Sequence, residues 1–264
     1  MTNSENSEKE KLSVERTQND SFIALFVTYL DFFAIINLFG KRFSAKIFKE
    51  KKMKIALINE NSQAAKNAVI FGALKKVADA HGFEVVNYGM YAADDKAQLT
   101  YVQNGILAAV LLNSKAADFV VTGCGTGEGA MLALNSFPGV ICGHVATPLD
   151  AYTFAQINDG NAISLPFALG FGWGGDLNLQ YIFEKLFSEP FGGGYPRERA
   201  EPEQRNKKIL DGVRAQAFRP LPDILKSLDR DLVRGALAGE HFKEYFFRDA
   251  KDENIKSLVT ELLG

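Results

Sequence analysis

From Met53 onward the sequence alternates between short apolar runs and longer stretches whose apolar residues recur every three or four positions. This alternation constrains the fold more than any other feature. The short runs, at 54–59, 84–87, 118–122, 140–143 and 162–165, read as strands. The stretches between and after them, at about 63–81, 99–114, through 135, 148–156 and 176–187, read as helices. In the first helix Ala64, Ala68, Phe71, Leu74, Val77 and Ala78 share one face, and Gly82 follows as a terminating glycine. Strands that are apolar throughout must be covered on both faces. The expected fold is therefore α/β, a three-layer Rossmann-like sandwich around a five-stranded parallel sheet with right-handed crossovers.

Three regions follow. Residues 1–52 form an N-terminal extension, 53–190 the α/β domain, and 191–264 a C-terminal helical extension with helices expected at 203–216, 221–237 and 251–263. Within the first region, residues 1–21 are polar and read as disordered. Residues 22–39 are apolar and aromatic, barely long enough to cross a bilayer, and interrupted by Asp31, which is costly there. The long lead of mixed charge does not fit a secretory signal. The strand beginning at Lys54 points to Met53 as the true start. The stretch Lys49-Glu50-Lys51-Lys52-Met53 can be encoded with a purine-rich ribosome-binding sequence ahead of a start codon. A membrane anchor ahead of a soluble domain is the competing reading.

Charge and cysteine usage narrow the chemistry. With 30 basic and 32 acidic residues, the net charge of -2 gives no general reason to bind nucleic acid or an anionic membrane. Two cysteines and three histidines, none in a CxxC pair, supply neither a disulfide scaffold nor a zinc site. A reduced, cytoplasmic setting fits.

The sharpest local feature is Gly123-Cys124-Gly125-Thr126-Gly127-Glu128-Gly129, between the third strand and a helix. Ligands of open parallel sheets bind at the carboxyl ends of the strands. Glycines there let backbone N–H groups approach an anion or a developing oxyanion. Ala130 and Met131 follow the loop, so it is no Walker A motif, and its position and spacing differ from a dinucleotide fingerprint. A tight turn around a buried cysteine remains open. A thiol near a helix N-terminus is suited to act as base or nucleophile. A cysteine hydrolase would need a histidine partner, for which His144 is the candidate. Cys142, inside the fourth strand, reads as a buried small apolar residue.

Three blocks resemble the type B ribose-5-phosphate isomerases and the related galactose-6-phosphate isomerase subunits. They are Cys124-Gly125-Thr126-Gly127 with Asn135 and Gly139, Gln156-Ile157-Asn158-Asp159-Gly160-Asn161, and Gly192-Gly193-Gly194 followed by Arg197 and Arg199. The resemblance covers about 53–205. It implies an aldose–ketose isomerase acting on a phosphorylated pentose or hexose through a cis-enediolate, without metal or organic cofactor. Cys124 would carry the proton, with Thr126 assisting at an oxygen. Asn158 and the amides of Gly125, Gly127, Glu128 and Gly129 would hold the enediolate. Glu60, Asn61, His144, Asn161, Arg197 and Arg199 would bind substrate or its phosphate. A homodimer or homotetramer with a shared site is implied.

The sequence departs from this family at Ile157, where the ring-opening histidine stands, and at Glu60-Asn61, where an Asp-His pair stands. The glutamate that some members use as base aligns with Ala130 and not with Glu128. Ring opening by Glu60 or His144, or an open-chain substrate, would account for Ile157. A non-catalytic sugar-phosphate sensor on the same fold is the alternative. Gln63 and Lys66 lie where they could touch substrate, and Trp173 reads as a packed turn aromatic. The aromatic tail around Phe242 and Phe246 reads as a packing element.

Overall fold

The computed structural model describes residues 52–264; the readings made above for 1–51 lie outside them. The five strands are β1 (Lys54–Ile58), β2 (Glu84–Asn87), β3 (Phe119–Cys124), β4 (Cys142–His144) and β5 (Ala162–Pro166). All pair in parallel, in the order β2-β1-β3-β5-β4. The helices between them are α1 (Asn67–Ala80), α2 (Tyr101–Asn113), α3 (Glu128–Asn135), α4 (Pro148–Thr153) and α5 (Gly175–Leu186). The tail adds α6 (Ala200–Ala217), α7 (Leu221–Ser227), α8 (Arg230–Leu237), α9 (Glu240–Asp249) and α10 (Glu253–Leu263). No helix among the described residues is long and apolar enough to cross a membrane.

The two faces of the sheet are sorted by the period of two. Ile55, Leu57, Phe119 and Val121 point to one layer, where Ile70 and Leu74 of α1 meet Ile182 and Phe183 of α5. Ala56, Ile58 and Val120 point to the other. There α2 lies buried along residues 104 to 112, between the sheet and the C-terminal extension. Leu221, Leu225, Val233, Leu237, Phe242 and Phe246 of that extension join the same core. Asp249 fastens the extension to the sheet. It accepts from Tyr88 Oη at 2.7 Å and from Arg248, and pairs with Lys54 Nζ at 2.7 Å.

Element boundaries depart from the sequence pattern where side chains compete with the backbone. The fourth strand begins at Cys142, not 140, because Asn161 Oδ1 accepts from the Ile141 amide at 2.8 Å. The stretch 221–237 is two helices, because Asp229 caps α8 by accepting from the Leu232 amide at 2.8 Å. α4 stops at Thr153 and the chain continues in a π-helical turn, Phe154–Asn158. α9 was not expected. Trp173 is fully exposed and does not pack into its turn.

Strand order reverses between β1 and β3. The crossover helices therefore leave on opposite faces and open a crevice at the carboxyl ends of these strands. Cys124 and Glu60 stand at that crevice.

Candidate functional site

Cys124 is the last residue of β3, opposite Pro166 of β5, and is buried. Cys124 is flanked by two glycines, Gly123 and Gly127, that have no room for a side chain. A Cβ on Gly123 would lie 2.3 Å from Leu165 O. Gly127 caps α3 in the left-handed region at φ 80°, where a Cβ would lie 2.8 Å from the Leu165 carbonyl carbon. This geometry aims the Gly127 N–H at Cys124 Sγ, 3.2 Å away. Ser164 Oγ donates to Gly127 O at 2.5 Å, and His144 Nε2 donates to Thr126 O at 2.9 Å. The first amides of α3 have no intrahelical acceptors and face the loop. Thr126 and Glu128 are exposed, with Thr126 Oγ1 accepting from the Glu128 amide at 3.4 Å. Such an array places backbone donors where an oxyanion beside Cys124 could be held.

The exit of β1 forms the opposite wall. Glu60 is buried, its two carboxylate oxygens accepting from Ser62 Oγ at 2.6 Å and the Ser62 amide at 2.9 Å. Asn61 is exposed and donates its amide to Leu99 O at 2.8 Å. Beneath them Asn59 and Asn87 both donate to Asn67 Oδ1, at 2.6 and 2.8 Å. The cysteine loop is tied to the exit of β5: Phe167 donates its amide to Cys124 O and Ala168 to Gly125 O, both at 2.9 Å. Gln63 Nε2 reaches to within 3.9 Å of where a Gly125 Cβ would stand. The ring of Tyr101 comes within 3.4 Å of the corresponding point on Gly129.

Cys124, Gly125, Thr126, Gly127, Glu128, Gly129, Glu60, Asn61 and His144 are thus brought to one end of the sheet. Asn158, Asn161, Arg197 and Arg199 are not. β5 runs from Ala162, beside Val120, to Pro166, beside Cys124. Asn158 and Asn161 precede it, so about 13 Å of strand separates their end of the sheet from the cysteine. Asn158 is exposed at the end of the π-turn. The side chain of Asn161 ties Gly139 O at 2.7 Å and the Ile141 amide. Gly192 and Gly194 bond back to Ala155 O and Gln156 O, keeping the arginine segment at this far end. Arg197 donates to Gly193 O at 3.0 Å and pairs with Glu189, and both Arg197 and Arg199 are exposed. Burial raises the Asp159 carboxyl above its ordinary range, outweighing the opposing effect of Lys207. Burial likewise pushes the Cys142 thiol up.

Sequence reasoning missed Ser164 and Tyr101. The only signal for Ser164 is a hydroxyl inside an otherwise apolar strand. Tyr101 resembles any exposed aromatic at a helix start.

A family model described as Ribose/Galactose Isomerase matches residues 55–201. The chain belongs to the ribose/galactose isomerase family. A second model, described as Ribose-5-phosphate isomerase, matches 217–262 in the tail. Among solved structures, a 4-deoxy-L-threo-5-hexosulose-uronate ketol-isomerase complexed with a tartrate is 60% identical. The match covers 80% of this chain and 99% of that one, with a TM-score of 0.79. A ribose-5-phosphate isomerase from Vibrio parahaemolyticus is 51% identical, over 80% of this chain and 99% of that one, with a TM-score of 0.78. The type B ribose 5-phosphate isomerase of Trypanosoma cruzi, at 20% identity over 64% and 100% with a TM-score of 0.54, shares the fold. No curated protein matches the chain. As a member of this family the chain is a sugar isomerase interconverting aldose and ketose.

Proposed function

We propose that this isomerase works through a cis-enediolate, with Cys124 as the base, on an open-chain keto-uronate. The observation that carries the base assignment is the Gly127 N–H aimed at Cys124 Sγ from 3.2 Å. The Cys124 thiolate takes the proton from C2 of the aldose. The electrons of that C–H bond form the enediolate, whose charge gathers on the C1 oxygen. The proton of the C2 hydroxyl passes to the C1 oxygen, with Thr126 placed to assist, and the thiol returns its proton to C1 as C2=O forms, giving the ketose. The loop amides lie where they can hold the enediolate oxygens, each such donor contributing about 3 kcal/mol to the transition state.

The carboxylated substrate is supported by 60% identity to a uronate ketol-isomerase. It is supported also by Ile157, which cannot serve acid–base ring opening. A phosphorylated pentose or hexose is the second reading, favoured by 51% identity to a ribose-5-phosphate isomerase and by Arg197 and Arg199.

Asn158, Arg197 and Arg199 complete the site from a second copy of the chain in this reading, giving a homodimer or a homotetramer built from dimers. α6 supports it, since none of its residues is buried while Ile209, Leu210 and Val213 present an apolar face. A cytoplasmic setting accompanies it.

The test is proton NMR in D₂O with a keto-uronate and a panel of pentose and hexose phosphates. Deuterium entering C1 or C2 with wild type and not with Cys124→Ala supports the base. Exchange that persists in Cys124→Ala overturns it, and the panel member that exchanges fixes the substrate class.

A further inference from the structure

Lys66 ends the single helical turn Ala64–Lys66 that follows β1, at the rim of the crevice. Its ammonium donates to Gln63 Oε1 at 2.8 Å and to Phe167 O, and lies 4.6 Å from the centre of the Phe171 ring. All three partners are neutral. No carboxylate among the described residues forms an ion pair with it. Glu60, the nearest acid in sequence, spends both oxygens on Ser62. An ammonium has three donors, so one remains after Gln63 and Phe167 are served. Part-burying a cation among neutral groups is costly unless an anion completes its shell.

The position of Lys66 says which end of the substrate it meets. Its carbonyl partner Phe167 is the residue whose amide bonds to Cys124 O, and its amide partner Gln63 reaches towards Gly125. Lys66 is therefore coupled to the catalytic loop through one residue on each side, and its ammonium lies between the exits of β1 and β5 and not in the loop whose amides face the reacting carbons. A charge there meets the end of a sugar remote from C1. A lysine ammonium is a compact point charge that can bind a carboxylate or a phosphate, and in the keto-uronate reading the anion at that end is the carboxylate.

We propose that Lys66 is a specificity-determining residue that binds the substrate's carboxylate and so selects a uronate over an uncharged sugar. This rests on the keto-uronate reading above. The aromatic face of Phe171 holds the ammonium in place, and Gln63 steers its remaining N–H into the crevice.

The experiment compares wild type, Lys66→Met and Lys66→Arg on 4-deoxy-5-hexosulose uronate and on its neutral carboxamide. Lys66→Met should raise KM for the uronate about 10- to 100-fold, the range of a charge-assisted hydrogen bond, with kcat within about threefold. The carboxamide should be used equally by wild type and Lys66→Met, and Lys66→Arg should recover most of the loss. Added salt should weaken kcat/KM for the uronate in wild type and not in Lys66→Met. An equal loss on both compounds would assign Lys66 to packing, and unchanged KM on the uronate would remove it from recognition; either overturns the proposal alone. A wild type inert towards the uronate overturns the substrate reading and this inference with it.

Discussion

Cys124 Sγ and the Gly127 N–H lie 3.2 Å apart, donor facing acceptor, across a turn closed in the left-handed region. The bond places a backbone donor on the sulfur that is to carry the proton. Replacing the thiol by a weaker base at the same place should therefore cost chemistry and not folding. Cys124→Ser should lower kcat by about 10²–10⁴-fold, the worth of a general base, with KM nearly unchanged. Steady-state kinetics with circular dichroism as the folding control checks this.

Gly127→Ala meets two penalties at once. The residue must hold φ 80°, and its new methyl would stand 2.8 Å from the Leu165 carbonyl carbon. A stability loss of about 1–3 kcal/mol is expected. The amide should also leave the sulfur, so kcat should fall in the surviving folded fraction. Urea denaturation gives the first quantity and active-site-normalised turnover the second.

The opposite placement of Cys124 and Asn158 makes a complementation test possible. If a second copy supplies Asn158, Cys124→Ala and Asn158→Ala should each be poorly active alone. Mixed after unfolding and refolding together, they should recover about a quarter of wild-type activity, since half the dimers then carry one intact site of two. A mixture no more active than its parts would place both residues' roles within one chain.

Asp249 should leave a signature in the acid limb of stability. Burial raises its carboxyl, but hydrogen bonds from Arg248, Lys54 and Tyr88 outweigh that and hold it at about 2. An unfolded aspartate titrates near 3.9. Its folded value is depressed, so the stabilisation is complete above about pH 4 and is lost as pH falls through about 2. Asp249→Asn should be less stable than wild type by about 2 kcal/mol at neutral pH, with the gap closing below pH 4. Urea midpoints across that range measure it.

The parallel sheet was legible because uninterrupted apolar runs such as Phe119-Val120-Val121 have only one stable use in a chain with intervening helices. The glycine loop was legible because only close backbone approach explains so many glycines between a strand and a helix. What the sequence hid were side chains acting on distant backbone. Asn161 shortens β4 through Ile141, and Ser164 braces Gly127 from a neighbouring strand. Neither partner is near in sequence, so no local pattern records the pairing. The opposite ends occupied by Cys124 and Asn158 were hidden for the same reason: position along the sheet depends on strand register, which composition does not encode. Trp173 misled because an aromatic among glycines usually packs, whereas this one stands in solvent.

The burial of α2 from residue 104 to 112 makes the C-terminal extension part of the core of this chain. Ile106, Val110 and their neighbours on α2 share one apolar cluster with Leu225, Val233 and Phe242 of the extension. Cutting the chain before Leu221 would therefore bare apolar surface on α2 as well as remove a tail, and the shortened protein should aggregate unless something else covers that helix.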